Sequence, residues 1–221
     1  MRSAIRWLAV LVLTAGPQLA RGTETVVTSC GPVTERKAVL GGDLDCSSDP
    51  GSYALVLERG TTLRLAGYTL TANAGGIYCD HCRIKGPGTI TRATPAFEPP
   101  DTCVGVTGVE SYRSRVSDVT FSNFGWAVNS FVSAKVKHIT VTDSCFGVVA
   151  GTSASVYDSI ITDNAGWGVR TFGRMRVVRS TITGQPRDLW SPTPPRVHFT
   201  TCVTSSEDGT PGIDFWDVCG P

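Results

Sequence analysis

The chain has 221 residues, the length of one domain or at most two. With 41% hydrophobic and 18% charged residues, plus 24 Gly and 13 Pro, it reads as globular and not as a disordered segment. The formal net charge of +1 excludes a bulk electrostatic case for nucleic acid, and eight Cys call for an oxidising compartment.

Residues 1–22 predict a secretory signal peptide. Arg2 and Arg6 form a basic start, an apolar run extends from Trp7 to Leu13, and Ala20 and Gly22 are the small residues a signal peptidase reads. The run is too short to span a bilayer, so no membrane attachment is expected after its removal. The mature chain is expected to begin near Thr23, to be secreted or periplasmic, and to carry a net charge of −2 once Arg2, Arg6 and Arg21 are lost. All eight cysteines then remain: Cys30, Cys46, Cys79, Cys82, Cys103, Cys145, Cys202 and Cys219. An even count in an exported chain predicts disulfides whose connectivity stays open. Cys30 with Cys46 and Cys202 with Cys219 are plausible pairs within terminal caps. The Cys79-x-x-Cys82 stretch reads as a disulfide, with Cys103 as a further partner, because no second ligand pair for zinc is in view.

From residue 65 the chain repeats. Val116-Ser-Asp-Val-Thr-Phe-Ser-Asn123, Val136-Lys-His-Ile-Thr-Val-Thr-Asp143, Val156-Tyr-Asp-Ser-Ile-Ile-Thr-Asp163 and Val177-Val-Arg-Ser-Thr-Ile-Thr-Gly184 start 20, 20 and 21 residues apart. Leu65 to Ala72 and Lys85 to Arg92 fit the same frame, and a Pro-rich insertion over 93–101 accounts for the longer gap before Val116. The sixth position is always apolar: Leu70, Ile90, Phe121, Val141, Ile161, Ile182. The fifth is Thr in every unit but one, and the eighth is often Asn or Asp. Short β-branched runs alternate with Gly, Asn, Asp and Ser turns, and no segment holds a helical period.

A leucine-rich solenoid would show a Leu frame, and a β-sandwich needs no fixed period. The pattern predicts an all-β chain folded as a single-stranded parallel β-helix, a solenoid of about six coils with capped ends. Its repeats are expected over 51–184, between an N-terminal cap at 23–50 and a Pro-rich C-terminal cap at 185–221. Positions one, four and six are expected to face inward and position three outward.

The signal peptide, the 20-residue repeat and the stretch from Asp43-Leu-Asp-Cys46 to Gly60-Thr-Thr-Leu-Arg-Leu-Ala-Gly-Tyr-Thr-Leu70 resemble secreted right-handed parallel β-helix proteins of the pectin-lyase-like superfamily, over roughly residues 38–184. The resemblance implies the fold. It implies no single activity, because that superfamily holds lyases, hydrolases, esterases, epimerases and adhesins. Arg83-Ile84-Lys85 matches a polygalacturonase tripeptide, but the paired-Asp and Gly-His-Gly motifs that accompany it are absent, so no catalytic role is carried over.

The repeat itself nominates a site. Position three reads Asp118, His138, Asp158, Arg179, with Lys137 and Tyr157 beside it at position two. In stacked coils these share one outer face. Arg179 suits a uronate carboxylate held in a fork, Lys137 or His138 could remove an acidic sugar proton, and Tyr157 could protonate the leaving oxygen. Asp118 and Asp158 could instead hold calcium, although no cofactor is required. The same alternation also pairs with itself and needs no ligand. Trp126 and Trp167, two coils apart with Val148 between, could stack on sugar rings or fill the core. The 93–101 loop, with Phe97 and Glu98, could wall a groove. The expectation is therefore an exported monomer that binds or processes an acidic polysaccharide, as a lyase if it is an enzyme, with no nucleic-acid partner. The alternative is a passive surface or adhesion module.

Overall fold

The computed structural model describes residues 24–95, 97–98, 102–103, 105–206 and 215–219. The expected signal peptide lies outside the described residues, as do Ala96, residues 99–101, the side chains of Phe97 and Glu98, and 207–214 of the C-terminal segment. What is described is an all-β parallel solenoid of about eight turns, and no helix occurs among the described residues.

Each turn contributes three short strands, and each strand pairs with its equivalent one turn on. In the first sheet 115–117, 135–137, 155–157, 176–178 and 196–198 follow one another in register. In the second, Phe121, Val141, Ile161 and Ile182 share one register. In the third, Val109, Val128, Val148, Val169 and Leu189 do. Alternation puts every second side chain inside, where aliphatic residues stack on aliphatic residues. Val136, Val141, Val148, Val156 and Ile161 are each fully buried. Positions one, four and six face inward as expected: Val116, Val119 and Phe121 in one coil are buried, as are Val136, Ile139 and Val141 in the next.

The corners explain the polar part of the repeat. The chain leaves the first sheet through one left-handed residue per coil: Asp118 (φ 61°), His138 (53°), Asp158 (50°) and Arg179 (47°). It leaves the second through Asn123 (67°), Asp143 (52°), Asp163 (57°) and Gly184 (83°). Asn, Asp and His tolerate this region better than other non-Gly residues, so both columns have a backbone reason for their composition.

The backbone ladder breaks at each corner, and hydroxyls from the next coil accept the N–H groups left over. Ser159 Oγ accepts from Ile139 N at 3.2 Å, Ser180 Oγ from Ser159 N at 3.2 Å, and Thr200 Oγ1 from Ser180 N at 3.3 Å. At the second corner Ser144 Oγ accepts from Phe124 N, and Asn164 Oδ1 accepts from Ser144 N. Buried amides thus keep partners where the sheet cannot supply them.

Two expectations are revised. There are about eight turns and not about six, because residues 25–46 and 187–206, expected as caps, add strands in register with the sheets. In the first two repeats the buried equivalents of Val116 are Leu63 and Ile84, not Leu65 and Lys85. The corner there is longer by one residue, as the register shift between Ser117 and Val119 against Lys85 and Gly88 records.

The four disulfides join Cys30 to Cys46, Cys79 to Cys82, Cys103 to Cys145 and Cys202 to Cys219. Cys103 therefore pairs with Cys145 and not with the Cys79–Cys82 stretch. Its partner strands, Phe97–Glu98 and Thr102–Cys103, form the one antiparallel pairing among the described residues. This disulfide pins the insertion to the second corner, where Pro95 borders a groove with Asn123, Asp143 and Asp163.

Candidate functional site

The three outer faces differ in chemistry. The second is largely threonine, as at Thr69 and Thr71, Thr89 and Thr91, or Thr181 and Thr183. The third is aromatic. The first, between the corner bearing Tyr112 and Phe131 and the corner bearing His138, is basic.

Position three forms the edge of that basic face, and it is paired within itself. His138 Nδ1 lies 3.0 Å from Asp118 Oδ1, and His138 Nε2 lies 3.7 Å from Asp158 Oδ2. Arg179 donates to Asp158 from both Nε (2.6 Å) and a terminal nitrogen (2.9 Å). The Arg179 hydrogen bonds hold the Asp158 carboxyl below its ordinary range, with smaller help from His138 and Lys137, and Asp158 in turn raises Arg179. The six side chains predicted from the repeat are thus brought together. Lys137 pairs in register with Tyr157, one residue before His138 and Asp158. The fork of Arg179 is already filled by Asp158. A calcium ion between Asp118 and Asp158 would have to displace His138, and no group of three His, Cys, Asp or Glu converges as metal ligands among the described residues.

Sequence reasoning missed the neighbouring columns. The residue before position one points outward and reads Arg83, Arg115, Lys135, Ser155, Arg176, Arg196 in register. Beside it run Arg113 and Arg174 on one side and Lys85 and Lys137 on the other. All nine of these cations are exposed, and among the described residues none pairs with a carboxylate. From 83–85 to 196–198 the outward positions of these strands carry no Asp or Glu. Like charges stacked one coil apart repel by about 1 kcal/mol per pair even in bulk water. The signal was present in the sequence as basic–aliphatic–basic alternation in two coils, Arg83-Ile84-Lys85 and Lys135-Val136-Lys137.

Two larger shallow grooves run along this face, beside a smaller one of about 260 Å³ that takes in Lys85, Ser117 and Lys137. One of about 690 Å³ is lined by Arg83, Arg113, Arg115, Lys135, Ser133 and Ser153, among others. One of about 570 Å³ is lined by Ser153, Ser155, Arg174, Arg176 and Arg196, with Thr193 and Pro194. They meet at Ser153.

Trp126 and Trp167 belong to the third face. Phe146, and not Val148, stands between them, with ring centroids 5.7 Å from Trp126 and 5.0 Å from Trp167; Val148 points into the core. The far side of Trp167 is covered by Arg170 at 4.3 Å and Arg187 at 5.2 Å. Arg170 also faces Phe172 and Trp190, and burial with the Arg187 charge lowers its pKa. The Trp167 indole is therefore largely used in packing, and Trp126 gives one stack to Phe146. The described ends of the insertion, Pro95 and Cys103, meet the second corner, between the second and third sheets.

No family model matches the chain, and no curated protein or solved structure is found to be similar to it.

Proposed function

We propose that this protein is an exported solenoid that binds an acidic extracellular polysaccharide on its first sheet. The carrying observation is the face of nine exposed cations in register, without a carboxylate among its described outward positions. Such a face concentrates anions and offers Arg forks to carboxylates or sulfates. Export is supported by the leader pattern of residues 1–22 and by four disulfides in one small chain. It is also supported by the resemblance to secreted pectin-lyase-like proteins. The position-three column braces the edge of this face: its carboxylates are occupied by His138 and Arg179, which favours binding over catalysis there.

A passive surface module is the second reading, and the self-paired column is what favours it. Retention on immobilised polygalacturonate separates the two. The binding reading expects retention at low salt, loss of it with rising salt, and little retention on a neutral glucan. Replacing Arg115 and Lys135 with Glu is expected to abolish it. Wild-type protein that passes both matrices alike would leave the passive module.

A further inference from the structure

Building on that binding reading, we infer that the basic face is a bipartite site, two cationic clusters separated by one uncharged coil, for a single linear acidic oligosaccharide lying along the solenoid axis. The coil at 153–157 presents Ser153, Ser155 and Tyr157 outward, with no charge. The coil before it presents Lys135 and Lys137, backed by Arg113 and Arg115. The coil after it presents Arg174 and Arg176, backed by Arg196. The division appears independently in the shape of the surface, because the two larger grooves are lined by the two clusters and join at Ser153.

Tyr157 links the halves. Its ring lies 5.6 Å from Lys135 Nζ and 5.8 Å from the Arg176 guanidinium carbon. The ring and the two serine hydroxyls suit a sugar unit held by stacking and hydrogen bonds, while its acidic neighbours reach the clusters on either side. Strands stack about 4.8 Å apart, so the ladder from Arg83 to Arg196, five steps, spans about 24 Å. Lys135 and Arg176, the facing ends of the two clusters, are two steps or about 10 Å apart, so a chain shorter than that engages one cluster, and a longer one engages both and gains from the second contact being intramolecular.

The test uses oligogalacturonates graded in length, titrated calorimetrically into the protein, with Arg115→Ala, Arg176→Ala and the double variant alongside. The site predicts that affinity steps up by about tenfold or more once the oligomer spans both clusters. With long oligomers the two substitutions should be non-additive, because each weakens one of the two clusters that the bridging needs. Short oligomers should lose binding only in part with either variant. Equal affinity at all lengths, with additive substitutions, would overturn the bipartite site and leave the binding reading intact. Absence of binding at every length by wild-type protein would overturn both. All of these side chains are exposed, and circular dichroism of each variant confirms that the fold is retained.

Discussion

Arg179 grips Asp158 from the next coil with two nitrogens, Nε to Oδ1 at 2.6 Å and a terminal nitrogen to Oδ2 at 2.9 Å. One side chain that sequence reasoning reserved for a substrate carboxylate is therefore matched to a carboxylate of the protein itself. Arg179→Ala should let Asp158 titrate at higher pH, because the hydrogen bonds that hold its carboxyl low come first from Arg179. A carboxyl-carbon NMR titration of Asp158 reads this directly. Stability should change little, since the pair is at the surface. Polyuronate binding should change far less than in Arg115→Ala, whose guanidinium has no carboxylate partner among the described residues.

If the column is a brace, catalysis is absent from it. Incubation with polygalacturonate, with and without calcium, should then produce neither unsaturated-sugar absorbance nor new reducing ends, and His138→Ala should bind as wild type does. Product that forms with wild type and vanishes in His138→Ala would make the column a catalytic site.

Ser159 offers a test of the corners. Its hydroxyl accepts from Ile139 N at 3.2 Å and donates to the Tyr157 carbonyl at 2.7 Å. Ser159→Ala leaves a buried amide without its partner and should cost about 1–3 kcal/mol in urea unfolding. Ile161→Ala, which opens the aliphatic stack of the second sheet, should cost about 2–5 kcal/mol.

Asp188 gives a pH signature. It is buried at the third sheet, where Oδ2 accepts from Val203 N at 2.6 Å and Thr204 N at 3.1 Å. Burial raises its pKa, against the opposing pull of those two amides and Gln185. Protonation is thus easier in the folded state than in the unfolded chain. This contribution to stability is full below the unfolded aspartate value and is lost as pH rises through the higher folded value. The stability of wild type relative to Asp188→Asn should therefore increase as pH falls through the carboxylate range. A difference independent of pH would contradict it.

The Cys103–Cys145 bond closes a loop of 42 residues. Replacing both cysteines with Ala should cost about 4 kcal/mol on the chain-entropy account. The basic face is on the first sheet, whereas the described ends of the insertion that this bond tethers meet the second corner, so polyuronate binding at a temperature where the variant is folded should be unchanged.

Much of the fold was legible because burial in a solenoid repeats with the coil. Val136, Val141 and Ile161 announce their columns by period alone, and two cap disulfides follow from position. The count of coils fell short because residues 25–46 and 187–206 keep the strands but lose the sequence period that marks the middle. The Phe146 between the two indoles was hidden for a simpler reason: Val148, two residues on, is the apolar point that repeats, and it faces inward. The basic face escaped notice because net charge averages over the molecule. Nine cations on one sheet are offset by acidic residues elsewhere, such as Asp143 and Asp163 at the second corner. Only register reveals that Arg83, Arg115 and Lys135 are neighbours.

The most direct test of the binding claim is amide hydrogen exchange with and without a long oligogalacturonate. The account predicts slowed exchange confined to the first sheet and its two bordering corners, strongest over 113–117, 133–137 and 174–178, and removed by high salt. Protection centred instead on the aromatic third face, around Trp126, Phe146 and Trp167, or no protection at any oligomer concentration, would contradict it.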